Sequence, residues 1–274
     1  MGAFQLNQEE LLSFFAVLVR FSVLFSVLPF LGDRMVPTPV KVLLSLSVSV
    51  ALYPFLVAKG FVKPGEAMVW ASSTSGIVGT ITLEALFGLA VGFAGRMVFE
   101  AVFFAGNLVG QFMGFGIASM YDPHLEAQSQ VVAEFQMAMA MLVFLALDGH
   151  HIMLQAVTGS YAIVGVGGLG AVELGLGGAF SEKLIQISGE VVRFGVELAA
   201  PVAIALFAVN VAFGVMAKAM PQLNVLMLSF AASALIGLLV LMLSLPEFQA
   251  VTANMLGKVG ESMEAVMRAM AKGT

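Results

Sequence analysis

Four charged side chains interrupt otherwise apolar stretches and are the residues best placed to do chemistry. They are Arg20, Glu84, Arg96 and Glu134. Ionisable groups inside apolar segments are costly and usually face protein or water rather than lipid. In transporters they mark the path of an ion or a small solute. We therefore predict that all four are buried charges, and they support a secondary transporter as one alternative function.

Other residues with chemical potential lack the neighbours that their chemistry needs. His150 and His151 are adjacent, so they would point about 100° apart on a helix, and no zinc-site spacing accompanies them. Gly165, Gly167 and Gly170 match the letters of a dinucleotide-binding fingerprint, but they follow an apolar helix pattern instead of a strand. Since no nucleophile–base set occurs either, we predict no catalytic, cofactor-binding or metal site, and no enzyme.

The composition is typical of a membrane protein. Of the 274 residues, 60% are apolar and 11% are charged, and the mean hydropathy is +1.01, whereas soluble domains contain about 25% charged residues. The net charge of −5 argues against nucleic acid as a partner. The chain has no cysteine, which excludes disulfides. Because the first basic residue is Arg20, we expect no cleavable signal peptide.

The apolar runs and the breaks between them predict an all-α protein. Pro201 should break or kink its helix. The last segment, residues 246–274, predicts an amphipathic helix whose apolar stripe from Val251 to Met270 would lie on a membrane surface or a partner. The predicted helices cover about residues 11–31, 40–58, 126–147, 182–216 and 223–245, with a long helix that begins near residue 77 and another that follows His151.

Glycines spaced by four residues indicate helix faces on which two backbones approach closely. Gly88 and Gly92 lie on one such face, between the opposite charges of Glu84 and Arg96. We predict that the glycines of this face and of a second stripe pack helices together. The second stripe comprises Gly106, Gly110 and Gly114.

The segment from about residue 106 to 123 combines this tight stripe with bulky apolar side chains and a stop at Asp122-Pro123. Glycine weakens a rigid helix, and phenylalanine and methionine fill irregular space. The pattern indicates a constriction or plug, with a buried helix that ends in a turn as the plainer alternative. The bulky side chains are Phe112, Met113, Phe115 and Met120.

A proline and two amides, Pro221, Gln222 and Asn224, separate two long apolar helices. The amides can satisfy backbone groups at a helix break, in this chain or in a neighbour, so we predict an assembly motif, with a simple hairpin turn as the alternative.

Lysine and arginine occur in nearly every connection and define no membrane orientation.

Taken together, these residues resemble the FliR/SctT family, the export-gate subunits of type III secretion systems, and its flagellar branch in particular. The resemblance extends over nearly the whole chain in the right order. The matching residues are Arg20, Pro29, Pro37, Gly110-Gln111, Met113-Gly114-Phe115, Ala118, Asp122-Pro123, His150 and the run from Pro221 to Val225.

The resemblance implies a non-enzymatic subunit of a hetero-oligomeric helical export gate, built with FliP and FliQ and contacted by FlhB and FlhA. Unfolded flagellar proteins would be its transient substrates. Residues 1–180 would be FliP-like and residues 181–245 a FliQ-like hairpin. Residues 110–120 match the loop that plugs the pore, which adds Gln111 to the plug residues.

The implied location is the bacterial inner membrane at the flagellar basal body. The chain would be multi-pass and in contact with lipid, with part of the assembly on the periplasmic side.

Two alternative functions stay open. The same subunit of a virulence injectisome would differ only in its partners and genomic neighbours. A secondary transporter would need related halves, and we find no convincing inverted repeat.

Overall fold

The computed structural model describes residues 7–28, 36–116, 130–167, 178–220, 222 and 224–272. This part of the chain is helical and contains no β-strand, so the predicted all-α fold class is confirmed. A short 3₁₀ helix, Pro64–Glu66, precedes α3. The helices are α1 (Gln8–Val27), α2 (Thr38–Ala58), α3 (Ala67–Ala71), α4 (Thr74–Phe112), α5 (Val131–Ala146), α6 (Gly149–Ile163), α7 (Ala179–Ala219), α8 (Val225–Leu243), α9 (Leu245–Gly257) and α10 (Val259–Lys272).

Five of these helices are long and apolar enough to cross a membrane, or six if α5 and α6 jointly make one crossing. The five are α1, α2, α4, α7 and α8. The helices α4 and α7 contain 39 and 41 residues. At about 1.5 Å per residue each is close to 60 Å long, roughly twice the hydrocarbon thickness of a bilayer. Both therefore extend well beyond one crossing.

Two predictions about helix boundaries differ from the structure. Pro201 lies inside α7, which continues on both sides of it, so the predicted break does not occur, and a kink at this position stays a prediction. Proline is tolerated inside membrane-protein helices because neighbouring groups satisfy the carbonyl that it leaves unpaired. The closing segment forms two helices instead of one, separated at Lys258.

The chain divides into two compact units, and α4 contributes residues to both. The first comprises residues 1–97, 150–187 and 258–274. In it, α1 packs against α2 and α3. The Ser13 and Tyr53 hydroxyls join α1 to α2 at 2.6 Å. The Tyr53 hydroxyl also donates to the Glu10 carbonyl at 3.1 Å, so polar contacts fix this helix pair in register.

The helix α10 buries its apolar face in this first unit. Met263 and Val266 have no exposed surface, and the Met263 Sδ lies 3.8 Å from the position of a Cβ on Gly95. The prediction that this stripe lies on a membrane surface or a partner was therefore wrong for α10. A stripe of this kind fits an interior as well as it fits a bilayer. The opposite face is charged and exposed, and there Arg268 pairs with Glu264.

The second unit comprises residues 98–149 and 188–257. Its apolar core is formed by one side of the end of α4 together with α5, α7, α8 and α9. Phe99 and Phe144 meet edge to face, with ring centroids 5.4 Å apart. Fully buried members of this core include Ala101, Ala105, Val109, Met113, Ala140 and Leu206.

Candidate functional site

A buried ion pair joins α1 to α4 in the first unit. The Nε of Arg20 donates to Oε2 of Glu84 at 2.6 Å, and the two side chains are 0% and 2% exposed. The predicted burial of these two charges is thus observed. A lone charge inside an apolar helix is costly, whereas the paired charges neutralise each other within the protein.

The guanidinium of Arg20 uses its remaining nitrogens on α6. Nη1 donates to the Ser160 hydroxyl at 2.8 Å, and Nη2 donates to the Val164 carbonyl at 3.3 Å. The Tyr161 ring covers the guanidinium, with 3.8 Å from Cζ to the ring centroid. One arginine therefore connects α1, α4 and the end of α6. Lysine could not replace it, because only the planar fork donates in several fixed directions.

The predicted glycine face on α4 packs against α1 directly beside this ion pair. A Cβ on Gly88 would lie 2.5 Å from the Arg20 carbonyl oxygen, and a Cβ on Gly92 would lie 3.0 Å from the Val27 Cβ. Any side chain at Gly88 would therefore push α1 away from α4. This close approach is what allows the short reach between Arg20 and Glu84.

The other two predicted buried charges lie elsewhere. Arg96, on α4, and Glu134, on α5, are both exposed on the chain. The prediction of burial was wrong for these two residues. Apolar residues on every side of a charge do not reveal which face of the helix is covered by its own chain.

The end of α4 is the second place where predicted site residues meet. The helix ends at Phe112, and a turn at Met113 and Gly114 follows. Gly114 has a φ of +87°, a conformation that favours glycine. It therefore ends the helix instead of continuing the predicted stripe, so its predicted role as a helix-packing position was wrong.

The first two glycines of that stripe are buried on α4. A Cβ on Gly106 would collide with the backbone of Ala133 on α5, so these helices touch at backbone distance. Gly110 is buried four residues later.

The predicted plug residues have very different environments. Gln111 is exposed, and Phe112 is 39% exposed. Met113 is 0% exposed and belongs to the core of the second unit. The Phe115 ring meets that of Phe230 on α8 edge to face at 6.4 Å. Met120 lies outside the described residues.

The Met113 side chain occupies a space that a glycine on α8 leaves open. A Cβ on Gly237 would lie 2.5 Å from Met113 Cε and 2.7 Å from Met113 Cγ. Leu206 Cδ1, on α7, would be 3.3 Å from the same point. Gly237 was not among the predicted site residues, although it is the only glycine in α8 and small residues in apolar helices let neighbouring groups approach closely.

The predicted assembly motif lies just before α8. Asn224 precedes the helix, and its Oδ1 accepts from the Met227 backbone N–H at 3.3 Å. Its amide thus caps the first turn. Gln222 is exposed, and Pro221 lies outside the described residues.

The histidines that sequence reasoning set aside are exposed on α6, with their ring centroids 4.2 Å apart. The absence of a metal site there stays a prediction.

The apolar spans and the internally paired charges define this chain as an all-helical, multi-pass membrane protein. The family model described as bacterial export proteins, family 1, matches residues 11–259. The chain belongs to this family.

Three similar proteins are each named "Flagellar biosynthetic protein FliR". The one from Bacillus subtilis (strain 168) is 25% identical over 261 residues, which cover 93% of this chain and 94% of the relative. The one from Escherichia coli (strain K12) is 27% identical over 238 residues, with 85% and 86% covered. The one from Pectobacterium carotovorum is 28% identical over 233 residues, with 85% and 84% covered.

Proposed function

We propose that this chain is a subunit of the flagellar type III export gate, which forms and closes the channel for unfolded flagellar proteins. The observation that carries the proposal is the family match over residues 11–259, together with relatives called flagellar biosynthetic proteins that align over most of both chains. The five apolar helices support a role within a membrane. Lengths of 39 and 41 residues in α4 and α7 fit an assembly that is taller than one bilayer.

We infer that the partners are FliP and FliQ, with FlhB and FlhA at the same gate, in the inner membrane beneath the flagellar basal body. On this proposal part of the assembly lies on the periplasmic side. Residues 1–180 correspond to a FliP-like portion, residues 181–245 to a FliQ-like hairpin, and residues 246–274 close the chain. The broad apolar surface of α8 supports such partners or lipid as neighbours, because Leu226, Leu235 and Leu243 are all more than half exposed.

The test of this proposal is purification of the tagged full-length chain in mild detergent, followed by mass spectrometry of the proteins that accompany it. We expect small helical membrane proteins in a stable complex, because the exposed apolar faces of the helices need partners. A chain that purifies alone and binds a small solute would instead support a transporter.

We also propose that the end of α4 helps to seal the channel at rest. Apolar side chains can close a pore by excluding water without a rigid fit. Among the predicted plug residues that the structure describes, Phe112 presents a large exposed apolar surface, whereas Met113 is buried in the core. Phe112 is thus the side chain on which the sealing role can be tested with least damage to the fold.

The sealing role predicts that Phe112→Ala leaves the gate assembled but permeable to small ions. The measurement is ion leak across the membrane of cells that express the variant, with assembly checked by co-purification. The matched control is Phe135→Ala, which removes a ring of similar exposure (44%, against 39% for Phe112) from α5. An assembled Phe112→Ala gate as tight as the control would contradict the sealing role.

A further inference from the structure

The turn that ends α4 packs against α8 mainly through the side chain of Met113. Met113 is fully buried, and the space that holds it exists because position 237 is glycine. Leu206 of α7 borders the same space. The contact therefore joins the beginning of the proposed plug to the hairpin of α7 and α8.

Burial changes abruptly between Phe112 and Met113, the two residues at the end of α4. Phe112, one residue earlier, is 39% exposed, whereas Met113 has no exposed surface. The Met113 N–H donates to the Val109 carbonyl at 2.9 Å, and the Gly114 N–H donates to the Gln111 carbonyl at 3.0 Å. The backbone of the turn is thus hydrogen-bonded to α4 while its one buried side chain packs against α8.

A part that moves during each export event should have few buried contacts, since segments that open readily come from the least stable parts of a fold. Met113 has the opposite character. Its side chain is enclosed on all sides, and Phe115 adds a second contact to α8 through Phe230. A movement that withdrew Met113 would expose it and leave an unfilled space beside Gly237.

We propose that the contact of Met113 with Gly237 is a permanent anchor, which stays closed while the gate passes its substrate. The end of α4 and α8 would therefore move together, or not at all, when the gate opens. The inference rests on the proposed function, because it concerns how the export gate opens. The anchor distinguishes two residues that were predicted to act together in the plug. Met113 stays packed against α8, whereas Phe112 is exposed and does not take part in the anchor.

The geometry allows the contact to be locked chemically. The Cβ of Met113 is one bond from Cγ, so it lies no farther than about 4 Å from the Cβ position of residue 237, within the spacing of natural disulfides. Because the chain contains no cysteine, the two introduced thiols would be the only ones in it. The pair Met113→Cys with Gly237→Cys also removes the long side chain that would clash with a new Cβ.

The experiment expresses the double-cysteine full-length chain in cells that lack the native gene and measures export of flagellar proteins. Export is compared under reducing conditions and after mild oxidation, and the extent of crosslinking is read from labelling of the remaining free thiols. We expect an efficient crosslink in the assembled gate and no loss of export on oxidation. A crosslink that stops export and releases it again on reduction would overturn the anchor. Failure to crosslink in an assembled gate would overturn it as well.

Two controls complete the design. The combination of Phe112→Cys, Met113→Val and Gly237→Cys shifts one thiol to the exposed neighbour, lacks the long side chain that would clash with the new Cβ, and should crosslink poorly. If cells without the gene export normally, the proposed function fails, while crosslinking of the purified gate still reports whether the contact exists.

A second pair of variants applies if the double-cysteine chain does not accumulate. Gly237→Ala places a methyl group against Met113 and should lower the amount of chain in the gate, and adding Met113→Val should restore it. Wild-type assembly by Gly237→Ala alone would overturn the anchor.

Discussion

Replacement of Glu84 by glutamine tests whether the buried ion pair holds α1, α4 and α6 together. The amide keeps the size of the side chain and an oxygen that can accept from the Nε of Arg20, which lies 2.6 Å from the carboxylate. The negative charge alone is lost. Arg20, with no exposed surface, is then left as an uncompensated cation in the interior.

The size of the effect follows from the burial of both partners. Removal of one member of a buried ion pair costs about 3–5 kcal/mol, because the other charge stays desolvated. The hydrogen bonds from Arg20 to Ser160 and to the Val164 carbonyl persist in the variant, so we expect a loss near the lower end of this range. Typical folding free energies are about 5–15 kcal/mol, so such a loss is a large share of the total.

The assay measures the amount of intact chain in the membrane and the temperature at which the detergent-purified chain aggregates. The matched control is Glu134→Gln, the same chemical change at an exposed position on α5. We expect the control to behave like the wild type and Glu84→Gln to fall clearly in both measures. The double variant Arg20→Met with Glu84→Met should lose less than the sum of its two single changes, because it removes both charges together.

A Glu84→Gln chain as abundant and as heat-stable as Glu134→Gln would contradict a stabilising role of the ion pair. Losses of Arg20→Met and Glu84→Met that simply add in the double variant would contradict it as well, because additive losses would mean that Arg20 and Glu84 do not stabilise each other.

The two remaining predictions concern helix packing and capping. Gly88→Ala should lower the abundance of the chain by a few fold or more, because its Cβ would sit 2.5 Å from the Arg20 carbonyl, and repacking after such a clash costs about 1–3 kcal/mol. The matched control is Gly189→Ala on α7, whose Cβ would meet no atom within 4 Å. The abundance of this control, measured by immunoblot of membranes as for Gly88→Ala, should equal or exceed that of the wild type. Asn224→Ala should destabilise α8 by about 1 kcal/mol and lower the aggregation temperature, because it removes the cap on α8. Gln222→Ala leaves that cap intact, and an equal fall in both variants would contradict the capping role.

The class of fold follows from the sequence because apolar composition and helical breaks are local properties. The observed α2 and α8 begin and end within about two residues of their predicted bounds, since proline and polar turns mark both ends. The cost of a charge in an apolar helix likewise identified Arg20 and Glu84.

What the sequence did not reveal is long-range. The partners of Arg20 lie 64 and 140 residues away along the chain, so no spacing rule connects them. The same limit explains Arg96 and Glu134, whose exposed face depends on which helix packs beside them.

The environment of Met113 shows the same limit. Its glycine-rich surroundings indicated a weakened helix, but the end of α4 at a turn, with Gly114 at a φ of +87°, was not predicted. Its side chain, however, points into the core because Gly237, more than a hundred residues later, leaves room for it. A local pattern of phenylalanine and methionine does not show which of these side chains is buried in the core and which is exposed to the channel.

The measurement that tests the central claim most directly is the amount of flagellar proteins exported to the medium by cells that lack this gene. Export should stop in the deletion strain while the flagellar proteins still accumulate inside the cell. A plasmid copy of the wild-type chain should restore export. Normal export by the deletion strain would contradict the account.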